Sequence, residues 1–209
     1  MPSKLRLRTI FAPLVKLLAR GFAVLHVTPN GATILMLCCA LCSIVFLTVF
    51  RSLLAFGVMV FITGLMDGVD GAIARLTHQK SQFGGFFDST MDRVSEAVLF
   101  LGLLINASWL LTDFGVLAPV IPLLLFLFSS MISYTRARFE LALLGGDIKP
   151  DANVGLVGRS ERLFYLFLLS LLSAWLGLHV FTGGILLFLG LIIGTFLFRC
   201  FDYRRVLMH

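Results

Sequence analysis

Four aspartates combine a residue type and a spacing that suit metal-ion chemistry. Asp67 and Asp70 are three residues apart, Asp88 and Asp92 are four apart, and the sequence around both pairs is otherwise strongly apolar. If both stretches are helical, each pair projects from one helix face, about one turn apart. A carboxylate within a membrane costs at least about 2.5 kcal/mol. Such a cluster therefore predicts a functional site with a positively charged partner.

The spacing of the two pairs also indicates the partner. The short polar connector 76–82 would reverse the chain and bring the pairs together. Carboxylates that converge in this way repel one another unless hard cations neutralise them. Ligation by oxygen favours Mg²⁺, Mn²⁺ or Ca²⁺ over zinc. One octahedral ion and a two-metal site holding a pyrophosphate both fit, and two Mg²⁺ ions are the richer interpretation.

Small and basic residues accompany the first pair. Gly71 and Ala74 lack bulk and lie on the side of the helix near the aspartates, where a nucleotide could approach the backbone. Arg75 ends this stretch and is suited to forked contacts with phosphate. The alternatives are helix packing through Gly64, Gly68 and Gly71 and, for the arginine, a side chain that merely reaches the membrane surface. Packing does not explain the aspartates.

The composition predicts an all-α integral membrane protein. Of 209 residues, 59% are hydrophobic and only 13% are charged, which favours a membrane bundle over a soluble domain. Runs of about 20 apolar residues are long enough to span a bilayer. They predict six transmembrane helices, at 33–50, 53–74, 85–111, 115–134, 163–178 and 181–198.

The basic residues predict the orientation of these spans. Almost all of them fall on one side of the membrane, and Arg51 alone falls on the other. We therefore expect a multi-pass protein of the cell membrane with both termini and the aspartates on the cytoplasmic side. This bias and the attraction to anionic lipid account for the net charge of +6, so no nucleic-acid partner is expected.

A segment at 1–27 precedes the predicted six-helix domain at 28–209. Basic residues recur among Leu, Phe and Val over 4–27, which predicts an amphipathic helix at the membrane interface. Lys16 and Arg20 interrupt what would be the apolar core of a signal peptide. Thr28 and Pro29 then have the order expected of a helix cap followed by proline at the first helical position.

Eight positions resemble the signature of the CDP-alcohol phosphatidyltransferases. Every fixed position of the pattern DxxDGxxAR, eight residues, GxxxDxxxD is met, and the resemblance covers about 28–162 of the chain. The matching residues are Asp67, Asp70, Gly71, Ala74, Arg75, Gly84, Asp88 and Asp92. The resemblance implies an enzyme that joins a CDP-linked lipid (CDP-diacylglycerol or CDP-archaeol) to an alcohol acceptor and releases CMP. It also implies a homodimer.

The resemblance further implies roles for individual residues. Asp92 would be the general base on the acceptor hydroxyl and also a metal ligand, while Asp67, Asp70 and Asp88 would be metal ligands only. The implied contacts to the CDP-lipid are Asn30, Gly31, Ala32, Thr33, Gly71, Ala74, Arg75 and Ser81. For the residues that follow Thr28 and Pro29, this role is compatible with a helix cap.

A second basic region bears on the acceptor. SYTRARFE, at 133–140, and VGRSERL, at 157–163, contribute Arg136, Arg138, Arg159 and Arg162. These segments resemble those of the phosphatidylinositol-phosphate synthases of actinobacteria and their archaeal counterparts, except that Arg136 stands in place of Lys and Gly158 in place of Glu. The resemblance implies that the four arginines bind inositol phosphate. The alternative is that they only follow the positive-inside rule.

Other functions fit part of the pattern. Glycerol phosphate has the same charge as inositol phosphate, and serine is an acceptor in the same family. A divalent-cation transporter would also need intramembrane carboxylates, but it would not need the small residues and the arginine of DxxDGxxAR. A transferase that uses a phosphorylated polyol is therefore preferred.

Overall fold

The computed structural model describes residues 7–143 and 157–208, and the regular elements in them are helical. In chain order they are α1 (Leu7–Ile10), α2 (Ala12–Val24), α3 (Pro29–Thr48), α4 (Leu53–Leu76), α5 (Gln82–Ile105), α6 (Ala107–Leu110), a 3₁₀ turn (Thr112–Leu117), α7 (Val120–Ala142), α8 (Arg159–Leu176) and α9 (Leu178–Leu207). The stretch 144–156, between the two basic segments at 133–140 and 157–163, lies outside the described residues, as does the start of the N-terminal segment.

Charge divides the long helices into two groups. Among the described residues, α3, α4, α7 and α9 are long and apolar enough to cross a membrane. The 24 residues of α5 include Asp88, Asp92, Arg93 and Glu96, and the 18 residues of α8 begin with a charged first turn. Length and composition therefore support four of the six predicted spans, and the remaining two predicted spans coincide with α5 and α8.

Several predicted boundaries were wrong. Helix α5 ends at Ile105 rather than at 111, because the Asn106 side chain donates to the Gly102 carbonyl (2.8 Å) and to Thr48 Oγ1 (2.9 Å). Helices α7 and α9 continue to Ala142 and Leu207, well past the predicted ends at 134 and 198. An apolar run marks the part of a helix that lies in a membrane, and the helix itself can continue beyond it.

Hydroxyl side chains fix where the first three long helices begin. Thr28 Oγ1 accepts from the Gly31 amide (3.1 Å) and α3 starts at Pro29, so the predicted helix cap is confirmed and the helix begins four residues before the predicted span at 33–50. Ser52 caps α4, and Ser81 Oγ accepts from the Gly84 amide (2.9 Å) at the start of α5. Each cap satisfies an amide that has no partner within its helix. The connector between α4 and α5 is therefore only 77–81, close to the prediction.

Helix α4 lies at the centre of the bundle and contacts α2, α3 and α8. Its approach to α8 depends on Gly57, where an added Cβ would lie 2.8 Å from the Ser170 Cβ and 3.3 Å from the Phe167 carbonyl oxygen. Close helix approach through small residues is typical of membrane bundles. The contact fixes the position of α8 relative to the aspartates of α4.

Helix α2 packs along the end of α4 that carries the aspartates. Ala19 is buried, and Val15 lies against Gly68, where an added Cβ would be 3.3 Å from the valine side chain. Lys16 and Arg20 are exposed. The described part of the N-terminal segment thus packs one face against the bundle and leaves two basic side chains exposed.

Candidate functional site

Three carboxylates from two helices meet at one end of the bundle. Asp67 of α4 and Asp88 and Asp92 of α5 each offer an oxygen, and these oxygens lie within 4.8 Å of one another. The helices reach this arrangement because the connector is short and each aspartate faces the neighbouring helix. Converging carboxylate oxygens are the donor set that Mg²⁺ and Mn²⁺ prefer. The three residues fit a divalent cation by ligand type and by distance.

Asp70 lies beside this group of three. Its Oδ2 accepts from Thr33 Oγ1 at 2.8 Å, which ties α4 to the first turns of α3. It is also close enough to Asp88 for the two carboxyl groups to interact. All four aspartates of the sequence pattern are therefore contiguous in the fold, and Thr33 lies with them.

Arg159 reaches into the carboxylate cluster from the start of α8. Its Nη1 donates to Asp67 Oδ1 and to Asp92 Oδ1, and its Nη2 donates to Ser95 Oγ at 2.7 Å. Only 7% of the side chain is exposed, so both ion pairs are largely shielded from solvent. The sequence predicted an acceptor contact for Arg159, and in the structure this side chain also pairs with two of the predicted metal ligands.

A second buried network lies one turn further along α5. Glu96 Oε1 accepts from Arg162 Nε (2.8 Å) and from Ser129 Oγ (2.8 Å), while Oε2 accepts from Arg162 Nη2 and Arg93 Nη1, both at 3.1 Å. Arg93 also donates to Ser133 Oγ. One carboxylate thus holds two guanidinium groups and joins α5 to α7 and α8.

A small cavity opens beside Asp67, Asp70 and Asp88, with a volume of about 320 Å³. Gly68 and Gly71 form part of its wall, together with the other residues of α4 that face it. The opposite walls are contributed by α2 and α8. Its basic side chains are Lys16 and Arg75, and its apolar ones include Phe11, Leu65, Leu163 and Phe164. The cavity therefore combines a charged end with an apolar side.

A larger cavity of about 880 Å³ lies on the other side of Asp92. Its acidic lining residues are Asp92, Glu140 and Glu161, and its basic ones are Arg93, Arg136, Arg159, Arg162 and Arg199. Basic groups outnumber acidic ones, so the cavity favours an anion. Asp92, which belongs to the carboxylate cluster, and Arg159, which pairs with it, both line this cavity.

Only some of the residues predicted to contact the CDP-lipid line a cavity in the structure. Ala32 is fully buried in α3, and the Gly31 amide donates to the capping Thr28 side chain. The Asn30 side chain faces the start of α5 near Gly84. The Ser81 hydroxyl caps α5 by accepting from the Gly84 amide. None of these residues, nor Ala74, lines the two described cavities, whereas Gly71 and Arg75 line the smaller one.

Among the predicted acceptor residues, Arg136 and Arg162 line the larger cavity, but Arg138 is exposed and does not. Arg136 pairs with Glu140 at 2.8 Å on the same helix. The sequence interpretation gave no site role to Arg93 or to Arg199, which is 93% buried and donates to the Ile132 carbonyl. Arg93 lies within a predicted span and Arg199 directly follows one, and an arginine at such a position is a signal that could have found both.

Comparison with known sequences gives a family match over most of the chain. A sequence model described as CDP-alcohol phosphatidyltransferase matches residues 26–196. The archaetidylinositol phosphate synthase of Pyrococcus horikoshii is 33% identical over 174 residues, which are 83% of this chain and 84% of that protein. The phosphatidylinositol phosphate synthase of Mycobacterium tuberculosis is 32% identical over 156 residues, or 75% and 68%.

Solved structures of the M. tuberculosis synthase share the fold. The structure with CDP-DAG bound has a TM-score of 0.75 and 26% identity, covering 91% of this chain and 94% of that one. A structure in complex with manganese and citrate gives 0.73 and 27%, covering 90% and 88%. The helical arrangement described above is thus shared with that synthase.

Proposed function

The chain belongs to the CDP-alcohol phosphatidyltransferase family, and from this premise we propose that it joins a CDP-linked lipid to inositol phosphate and releases CMP. The observation that carries the proposal is the carboxylate cluster between two cavities of different character. The smaller one has a charged end and an apolar side, as a lipid-linked nucleotide requires. The larger one is basic, as a phosphorylated acceptor requires.

The donor lipid is proposed to lie with its pyrophosphate at the smaller cavity. Gly68 and Gly71 leave room for it against the α4 backbone, and Arg75 and Lys16 supply positive charge at the wall. The apolar side, with Phe11 and Phe164, can receive the part of the donor nearest its tails. CDP-diacylglycerol and CDP-archaeol share this headgroup, so the same contacts serve either.

The metal of the proposed reaction is divalent, with Mg²⁺ as the physiological ion and Mn²⁺ as a substitute. Asp67, Asp88 and Asp92 would hold it, and Asp70 next to Asp88 would complete a two-metal site. When bound, such ions neutralise the pyrophosphate and stabilise the leaving phosphate. A similar protein has been crystallised with manganese, which supports this choice of metal.

Asp92 is proposed to take the proton from the acceptor hydroxyl. It belongs to the carboxylate cluster and also lines the larger cavity, so it can contact a hydroxyl that approaches from that side. The hydroxyl oxygen would then attack the lipid-linked phosphorus, and the bond from that phosphorus to the CMP oxygen would break. A positioned general base contributes roughly a hundredfold or more to such a step.

The acceptor is proposed to bind in the larger cavity through Arg136, Arg159 and Arg162. A phosphomonoester carries close to two negative charges at pH 7, and beside four carboxylates it needs compensating cations. The names of the similar synthases favour inositol phosphate over glycerol phosphate and serine.

We place the enzyme in the cell membrane as six spans, α5 and α8 completing the set with α3, α4, α7 and α9. The charged ends of α5 and α8 face the cytoplasmic side together with both termini, and α2 lies at the interface with Arg20 toward the lipid headgroups. In this arrangement 1–27 is a juxtamembrane segment and 28–209 is the catalytic domain. A homodimer is the proposed assembly.

The test is CMP release from CDP-diacylglycerol and from CDP-archaeol by the purified protein with Mg²⁺. Inositol phosphate, glycerol phosphate, serine and free inositol are compared as acceptors. We expect release with inositol phosphate to exceed that with each other acceptor by at least tenfold. Equal rates with serine or free inositol would overturn the acceptor assignment. No CMP with any acceptor, together with Mg²⁺ movement into liposomes, would favour a cation transporter.

A further inference from the structure

Arg159 occupies the position in which a cation between Asp67 and Asp92 would lie. One nitrogen, Nη1, donates to both carboxylates, and those carboxylates belong to the group whose oxygens approach within 4.8 Å. Because each ion pair is largely shielded from solvent, the guanidinium supplies much of the charge that the carboxylates need. A divalent cation bound to the same two residues would therefore compete with Arg159 for their oxygens.

The Arg159 guanidinium does not use all its hydrogen-bond donors in this position. Its Nη2 donates to Ser95 Oγ at 2.7 Å and faces the Met36 sulfur at 3.7 Å, a weak acceptor. Its Nε is buried and has no hydrogen-bond partner among the described residues. A guanidinium with an unused donor gains from a ligand that offers several acceptor oxygens.

The same side chain borders the larger cavity. Arg159 lines it together with Arg136 and Arg162, which approach from α7 and from the same face of α8. If the Arg159 side chain turned toward that cavity, its guanidinium would leave the two carboxylates and pair with an anion bound in the cavity. The carboxylate cluster and the cavity therefore share one cationic group, which can neutralise only one of them fully.

We propose that Arg159 couples metal binding to acceptor binding. The guanidinium neutralises Asp67 and Asp92 until a divalent cation displaces it, and it then binds the phosphate of the acceptor in the larger cavity. This inference rests on the proposed function for the identity of the acceptor. Because coupling between two ligands is reciprocal, inositol phosphate must raise the affinity for the metal by the same factor as the metal raises the affinity for inositol phosphate.

The test measures metal binding and not turnover. The purified full chain in nanodiscs is titrated with Mn²⁺, and free Mn²⁺ is followed by electron paramagnetic resonance, with and without saturating inositol phosphate. For the unmodified protein we expect the Kd for Mn²⁺ to fall at least fivefold when inositol phosphate is present, within the usual range of coupling. An unchanged Kd would overturn the coupling without the use of any variant.

Variants test the displacement itself. Arg159→Gln should bind Mn²⁺ at least fivefold more tightly than the unmodified protein without acceptor, and inositol phosphate should no longer change its Kd. Arg159→Lys should show an intermediate Kd, because its ammonium keeps the charge but lacks the fork. Arg205→Gln, an exposed residue near the end of α9, is the matched control and should titrate like the unmodified protein.

Unchanged or weaker Mn²⁺ binding by Arg159→Gln would overturn the displacement. Failure of the proposed function would be seen differently, as absent CMP release by the unmodified protein with inositol phosphate. Failure of the coupling would be seen as Mn²⁺ titrations that do not respond to inositol phosphate while CMP release proceeds.

Discussion

At the scale of single residues, Asp92 has the most specific role in the proposal, that of general base. It pairs with Arg159 and lines the larger cavity. Asp92→Asn keeps the size and removes the base. We expect kcat to fall at least about a hundredfold while CDP-lipid binding and the folded state persist. CMP release and equilibrium binding of the donor measure the two effects separately. Near-normal turnover would remove Asp92 from the role of base.

A substitution of Arg136, which lines the larger cavity from α7, tests whether the acceptor binds there. Its ion pair with Glu140 is half-exposed, at 43% and 50% of the two side chains, so its loss should cost little stability. Arg136→Gln should raise KM for inositol phosphate about tenfold and leave KM for the CDP-lipid nearly unchanged, the sign of lost acceptor binding. Initial rates at varied concentrations of each substrate provide the check. A larger effect from Arg138→Gln would place the acceptor outside this cavity.

At the scale of helices, the Glu96 side chain on α5 links that helix to α7 and α8 through hydrogen bonds. Its carboxylate is 95% buried and accepts from Arg162 and Ser129. Glu96→Gln leaves a buried guanidinium without its counter-charge, so we expect stability to fall by about 3 kcal/mol or more. Thermal unfolding in detergent measures the loss. The matched control is Glu140→Gln, in a half-exposed pair, which should cost about 1 kcal/mol or less.

Gly57 tests how closely α4 and α8 must approach. Gly57→Ala would place a Cβ 2.8 Å from that of Ser170, and overpacking of this kind typically costs about 1–3 kcal/mol. Because α8 carries Arg159, activity should fall together with Tm. Gly183→Ala is the matched control, since nothing lies within 4 Å of its added Cβ. Equal Tm values for the two variants would show that the close approach is not needed.

The four aspartates and their connector could be predicted because their spacing is local in the sequence. The spacing of Asp67, Asp70, Asp88 and Asp92 is sufficient to place them on two facing helices. The partners of Arg159 could not be predicted in this way, since it lies 67 residues from Asp92 along the chain. Its contacts depend on the approach of α8 to α4, which no local periodicity encodes.

At the scale of the whole molecule, the polar groups are divided between two ends. The carboxylate cluster lies at one end, and Arg51, in the connection between α3 and α4, lies at the other. In a cysteine-free background, Arg204→Cys should react with a membrane-impermeant maleimide only from the cytoplasmic side, and Arg51→Cys only from the opposite side. Labelling of intact spheroplasts and of inverted vesicles compares the two. Reaction of both positions from the same side would overturn the proposed orientation.

The position of the carboxylates at one end of the bundle has a consequence for membrane growth. The proposed reaction would deliver its lipid product to a single leaflet, and the newly attached inositol phosphate is too polar to cross the bilayer centre unaided. Each turnover replaces one donor with one product in that leaflet. The number of lipids on each side is therefore unchanged, while on one side only a cytidine diphosphate headgroup is exchanged for one that carries the phosphorylated acceptor. Supply of this lipid to the opposite leaflet must depend on a separate catalyst of transbilayer movement.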